Sequence, residues 1–481
     1  MRFRTTTASL TFVMATVAVL AACASPALAL NGWTYRQLTY GVKGNRNATV
    51  EGDRVAWSRG VDTLFQVFTY RSGDATFTQL SNDTEDVFYP AMREGRIAWA
   101  QRSNDAVYTW RPGDATATLV ASGAAGDPWD YWPPAVSHDT VAWMGTVAGK
   151  RQDLLWSAGD VTPTVFTSSS VTEGVDPPVI SADRLAWPQL DGAGHAQIFT
   201  RLVGDTGPSQ QVTFDPIDHF AVQISSDRLA WRSRTGTFAD SVYTWKVLDA
   251  APTLVTDSPG FHDFVLSGDR IAWYDSISGA ARPNYVYTWA VGDHSPLLLS
   301  TSLQPYTTVA ASGDRVIWID GTQQIVVWRA GHGGPKVAVR PTRVAGDPVE
   351  SVSMSGTRFV WVGPGQGHSQ VYQADYTGLT TTRVPSSGSL NVYRSGGVAR
   401  WTMSLVLSDF TGPVRGLGVS LQASADGRAW RTVTTRATDS HGAVSVALSA
   451  RRPSVARLRW LTSDSPKYAP MSTSPQTVTV R

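Results

Sequence analysis

The chain has 481 residues, 42% of them hydrophobic and 17% charged, with a formal net charge of +2. That length exceeds what one compact core usually holds, so several domains or a repeat array are expected, and the composition excludes wholesale disorder. One Cys against 19 Trp and 42 Gly excludes a disulfide-stapled fold and leaves stability to packing.

The first 29 residues read as a secretory signal. "MRFR" supplies a positive start, "LTFVMATVAVLAAC" an apolar stretch, and "ASPALA" the small residues Ala27 and Ala29 before cleavage. A second reading competes, because "LAAC" (20–23) looks like a bacterial lipobox that would make Cys23 a lipidated N-terminus. Simple cleavage after Ala29 is preferred, since a good small-residue site follows the Cys. No later stretch reaches the ~18 apolar residues that span a bilayer. The expected location is extracellular or wall-associated, with an anchored lipoprotein as the alternative.

Residues 30–385 carry a repeat. "VEGDRVAW" ends at Trp57, and close variants end at Trp99, Trp143, Trp187, Trp231, Trp273, Trp318 and Trp361, spaced by 42, 44, 44, 44, 42, 45 and 43 residues. Periods of 40 to 45 residues built from short strands point to propeller blades. Each unit reads as four strands. An apolar strand A such as "FAVQI" (220–224) is followed by a tight turn and then by strand B, "DRIAW". Alternation sends Ile271 and Trp273 to one face of strand B, and Arg270 and Ala272 to the other. Strand C is "VYTW" at 107–110, 242–245 and 286–289, and strand D is a stretch such as "PLLLST". Helical periodicity is nearly absent, which argues all-β.

Eight copies predict an eight-bladed propeller, or seven blades if a terminal unit is degenerate. "WTYRQLT" (33–39) resembles strand D of the other units and is placed to complete the last blade. The repeat resembles the TolB-like (PD40/WD40-like) family, in which a Ser-x-Asp-Gly-like turn precedes an apolar strand. The resemblance covers residues 31–385 and implies architecture rather than activity, because such repeats occur in binding proteins and in enzymes.

"PSSGSLN" reads as a linker into a last domain, 386–481, expected to be a small β-sandwich. It resembles the immunoglobulin-like domains at the ends of secreted bacterial proteins through Val419, Leu421, Gln422, Asp426, Gly427, Trp430, Asp439, Gly442, Tyr468 and Pro470. The resemblance implies a spacer or surface attachment. This region holds 12 Lys plus Arg against 4 Asp plus Glu, whereas residues 30–385 hold 27 against 35. A basic tail joined to an acidic body suits anionic envelope polymers as neighbours of the tail, although a solvated face is the commoner meaning of surface charge.

The motif search for chemistry is mostly negative: no nucleophile elbow, no zinc-binding His-Glu-x-x-His, no phosphate loop and no EF-hand. Loops leading into strand A are expected at the mouth of the channel, and in most units they hold an acid beside aromatics. The candidates are Asp86, Tyr89, Asp130, Tyr131, Trp132, Asp176, Asp218, His219, His262, Asp263, Tyr306 and Asp347. Carboxylates beside aromatic faces suit a sugar or a cationic peptide. The competing reading is that each repeated Asp caps its own loop. Asp218, His219, His262 and Asp263 lie in adjacent units and form the weak candidate for a divalent metal, although no cofactor is expected. The Arg after the turn (Arg54, Arg184, Arg228, Arg270, Arg315) is expected to pair with neighbouring carboxylates. No nucleic-acid partner is expected, since no basic stripe runs through the repeats.

The expected function is non-enzymatic: a monomeric surface or secreted protein binding an envelope glycan, peptide or protein at the propeller mouth. The alternative is a hydrolase or lyase acting on an extracellular polysaccharide through mouth carboxylates, and a third reading is a purely structural surface protein.

Overall fold

The structure is a computed structural model. It describes residues 33–481 apart from 102–105, 123–132, 149, 168–175, 235–238, 260, 276–283, 303–307, 332–333, 342–347, 366–367, 377–379, 384–388, 410–411, 426–428 and 463–475. Every regular element among the described residues is a strand.

The repeat becomes eight four-stranded antiparallel sheets. Their innermost strands, A, are Asn45–Glu51, Val87–Arg93, Ala135–Ser137, Val179–Ser181, His219–Ser225, Phe261–Ser267, Val309–Ser312 and Ser351–Ser355. Successive A strands touch in this order, and the last touches the first, so the sheets close into a wheel. The eighth sheet takes its outer strand from the start of the repeat region, Trp33–Gln37, which pairs with Gln370–Tyr376. This Velcro-like closure leaves the wheel no open junction at its ends.

The recurring Trp explains the stacking. All eight are 0 to 6% exposed. Trp273 turns back onto Ala230 and Val242 of the fifth sheet, while Ala272 turns forward to Trp318 of the seventh. In six of the eight sheets strand B therefore carries an indole on one face and, on the other, an Ala that leaves room for the next indole; Ile317 and Val360 stand there in the seventh and eighth. Trp57 closes the circle by packing on Val360, Val362 and Val371 of the eighth sheet. Each indole buries enough apolar surface to contribute several kcal/mol, on the order of 3–5 by core truncation.

The turn motif has a second role. In "SGDR" the Ser hydroxyl accepts a backbone N–H from the next sheet's turn. Ser225 accepts from Gly268 (2.9 Å), Ser267 from Gly313 (3.0 Å), Ser312 from Gly356 (2.8 Å) and Ser355 from Gly52 (3.0 Å). Ser181 accepts from Ser226 (2.8 Å), and Glu51 and Glu94 do the same for Gly95 (3.0 Å) and His138 (3.0 Å). Among the described residues the junction from third to fourth sheet lacks this bond, and the Ser137 hydroxyl instead donates backwards to Glu94.

The strand-B Arg follows its own pattern. Arg54, Arg184, Arg228 and Arg270 donate to Thr69, Thr200, Thr244 and Thr288, and each Thr donates in turn to a strand-B carbonyl. Arg228 also pairs with Asp269 of the next sheet (2.7 Å), and Arg315 with Asp314 (3.2 Å). Arg54 and Arg270 lie over Trp110 and Trp328 of the following sheets, at 5.4 and 5.2 Å. Neutral hydroxyls and indole faces thus share with carboxylates the work expected of carboxylates alone.

Beyond Tyr376 the strands form two further sheets. One joins Thr380–Arg383, Ala399–Asp409, Gly412–Pro413 and Ala443–Ala450; the other orders Ser389–Val392, Gln476–Val480, Ser454–Thr462, Gly418–Ser424 and Arg431–Ala437. Their inward side chains include Leu405, Val419, Leu421, Val446 and Trp460, all buried. The stretch read as linker is in part a strand, since Ser389–Val392 runs parallel to Gln476–Val480. Gln422 accepts from Arg459 (3.0 Å), whose guanidinium covers Trp430 at 4.1 Å, and Asp439 caps the turn through the His441 and Ala443 amides at 2.8 Å. Asp426, Gly427, Tyr468 and Pro470 lie outside the described residues.

Candidate functional site

The A strands surround the wheel's axis, so their side chains and the loops leading into them line the channel. A cavity of about 790 Å³ opens there, walled by the second to sixth sheets. Asp176, Asp263, Arg232, Phe220 and Tyr274 supply its polar and aromatic lining.

Local backbone geometry aims these groups. Strand A of the fifth sheet bulges between Phe220 and Gln223, with Ala221 in the left-handed region at φ 51°. Asn47 and Tyr89 hold the same place and conformation in the first and second sheets, at φ 53° and 52°. A bulge that recurs in the same place is a built feature which re-aims the strand toward the channel. The Ala221 N–H freed by the bulge donates to the Asp176 carboxylate of the preceding sheet.

Arg232 sits opposite Phe220 in register, with its guanidinium 4.8 Å from the ring centre, and forms an ion pair with Asp240. Arg234 approaches the same ring at 4.8 Å. Burial pushes the Asp176 carboxyl above the usual carboxylate range, while the Ala221 amide and the Arg232 charge pull it back. Desolvation raises Asp263 in the same way, opposed by the Phe264 amide at 2.8 Å and again by Arg232. Burial and the Asp263 charge both push the Tyr274 hydroxyl up. Three successive sheets thus present acid, base and acid, with one guanidinium acting on both carboxyls. Such a set can accept hydroxyl or ammonium hydrogen bonds and stack an apolar face on Phe220 or Tyr274.

The remaining expected residues divide. Asp86 accepts the Phe65 N–H (2.7 Å) and Asp218 the Ala196 N–H (3.0 Å), each tying strand A to the start of strand C in the preceding sheet. These two carboxyls therefore tie neighbouring sheets together rather than cap their own loops. Tyr89 is exposed at its bulge, beside Phe88. His219 is buried, with Nδ1 2.7 Å from the Ser233 hydroxyl and Nε2 2.9 Å from Asp215, and burial lowers its pKa. Both ring nitrogens are therefore engaged by protein groups, and no group of three or more potential metal ligands occurs among the described residues. Asp130, Tyr131, Trp132, Tyr306, Asp347 and Cys23 lie outside the described residues, as does the side chain of His262.

Sequence reading missed Arg232, Tyr274 and Phe220. The first had a signal: of the eight residues that follow the repeat Trp, Arg232 alone is charged. Arg93 was missed as well; it donates to the Ile180 carbonyl (3.3 Å), linking the A strands of the second and fourth sheets along the cavity wall.

Repeated four-stranded sheets around a lined channel define a β-propeller. Among solved structures the chain is similar to the β-propeller domain of the Trilobed protease from Pyrococcus furiosus, at 10% identity over 63% of this chain and 100% of that chain, with a TM-score of 0.45. It is similar to TolB from Acinetobacter baumannii (14% identity, 72% and 80% covered, TM-score 0.35). A puromycin-hydrolyzing peptidase of Mycobacterium tuberculosis is similar at 14% identity, over 73% of this chain and 61% of the peptidase, with a TM-score of 0.43. No family model and no curated protein matches the chain. The propeller assignment rests on the chain's own sheets. No helix among the described residues is long and apolar enough to cross a membrane.

Proposed function

We propose that this is an exported, non-enzymatic binding protein whose channel captures an exposed segment of an envelope glycan, peptide or protein, with the basic C-terminal strands turned toward the envelope. The observation that carries the reading is the Asp176–Arg232–Asp263 cluster on a cavity of about 790 Å³. The cavity falls within the size range of small-ligand sites and joins a few convergent polar groups to aromatic faces. The test is binding of the purified protein to arrays of envelope glycans and peptides, repeated with Asp176→Asn/Asp263→Asn. Ligands that the wild type retains and the double variant loses support the reading. Retention of every ligand by the double variant sinks it.

The hydrolase or lyase alternative draws on the same two carboxyls. A carboxyl raised by burial suits a general acid; both carboxyls are raised, so the second serves as base or nucleophile only once it has lost its proton. New reducing or unsaturated ends released from an envelope polysaccharide, and abolished by Asp176→Asn, would favour it over simple binding.

A further inference from the structure

One strand-C position turns toward the next sheet in every unit. It is filled by Val67, Val107, Ile198, Val242, Val286, Ile325 and Val371 in seven sheets, all at most 2% exposed. The third sheet places Asp153 there, 1% exposed, and neither carboxyl oxygen has a hydrogen-bond partner among the described residues. An isolated ionised carboxylate in such a slot is strongly disfavoured, so the group is held neutral. Burial alone pushes its pKa up to about 8.

The junction that Asp153 faces is also poor in other links. Among the described residues it lacks the turn-to-turn bond present at the seven other junctions. It also lacks the strand-B Arg, because Thr140 stands in that place. In three other sheets this Arg reaches over a Trp of the following sheet: Arg54 over Trp110, Arg96 over Trp156 and Arg270 over Trp328, at 5.4, 5.7 and 5.2 Å.

The surroundings of Asp153 are apolar. Met144 lies opposite it on strand B, and the Thr167 hydroxyl accepts its backbone N–H at 3.2 Å. The fourth sheet contributes Ile180, Leu185 and Trp187 to the junction. Among the described residues the charged groups turned to this side are Arg151, two residues back on the same strand, and Arg201 of the fourth sheet, which lies over Phe166 at 5.8 Å. Neither offsets the burial of Asp153. Asp139 and His138 face the second sheet instead, pairing with Arg96 and Glu94.

We propose that the wheel opens at the junction between its third and fourth sheets, and that the protonation state of Asp153 decides whether this junction is closed. The two A strands beside it, Ala135–Ser137 and Val179–Ser181, wall the channel cavity, so parting them widens the site. A protonated Asp153 fills the slot as a neutral side chain. Once ionised it draws toward water, and the junction loosens as pH rises.

Hydrogen exchange of the full protein tests this, comparing protection of strands Lys150–Ser157 and Arg184–Leu190 with that of the matching strands of the fifth and sixth sheets. Between pH 6 and pH 9 the third–fourth junction is expected to lose roughly ten- to a hundredfold more protection than the controls, as linkage to one raised carboxyl requires. Asp153→Val restores the residue type of the other sheets and Asp153→Asn keeps the shape without the charge. Both are expected to abolish the excess loss. Equal loss at all junctions in the wild type, or an excess that persists in either variant, overturns the proposal.

Discussion

The hydroxyl of Ser355 accepts the backbone N–H of Gly52 at 3.0 Å, joining the last sheet of the wheel to the first across 303 residues of sequence. The same bond recurs between most neighbouring sheets, so the Ser of the repeat motif serves the sheet after its own. At an exposed turn each such bond is worth about 0.5–1.5 kcal/mol. Ser355→Ala is expected to lower the denaturation midpoint modestly, by an amount matching Ser312→Ala. A much larger loss would mean that the closing junction is more fragile than the others.

Trp231 and Ala230 test the stacking from two sides. Trp231→Ala leaves a cavity between the fourth and fifth sheets and is expected to cost about 3–5 kcal/mol. Ala230→Leu pushes into the space that Trp273 occupies and is expected to cost about 1–3 kcal/mol by overpacking. Denaturant unfolding of both variants measures this, and a neutral Ala230→Leu would show that the socket is loose.

Asp176 links stability to function. Its folded pKa is raised by burial, so the folded state favours the protonated form. The penalty is absent below the unfolded value near 3.8 and grows as pH rises toward the folded pKa. Asp176→Asn keeps an oxygen for the Ala221 amide without the charge. It is expected to raise the thermal midpoint above wild type at pH 7 while weakening ligand capture, as trade-offs at functional sites commonly do. Thermal scans from pH 4 to pH 8 check the sign: the gap between variant and wild type widens with pH.

His219 gives the opposite slope. Burial lowers its pKa below the ordinary 6.5, so the unfolded chain binds the proton more readily. Stability is therefore lost as pH falls through about 6.5 toward the folded value. His219→Gln removes this titration, and the variant's midpoint is expected to change less than wild type's between pH 7.5 and pH 5.

Much of the wheel was legible because its information is periodic. The spacing from Trp57 to Trp361 marks strand B, the alternation in "DRIAW" gives its two faces, and Trp33–Gln37 carries the look of an outer strand that it proves to be. The site was less legible because the loops bearing its residues repeat as well. Asp86 and Asp218 serve the wheel's own hydrogen bonding, and so does Asp176 through the Ala221 amide, yet only Asp176 and Asp263 of these four also line the cavity. Arg232 and Asp153 break the repeat pattern at single positions. Comparing units column by column exposes such breaks, while reading each loop for chemistry does not.

Solution X-ray scattering is the most direct test of the ring, on which the channel and its acids depend. A closed wheel with its C-terminal sheets should give a radius of gyration near the about 23 Å of a compact chain this long. Eight sheets stacked about 10 Å apart in an open row would extend about 80 Å before the tail is added. A compact profile with a value in the low to middle twenties is the expected result; an elongated profile with a value well above about 30 Å would contradict the closed wheel.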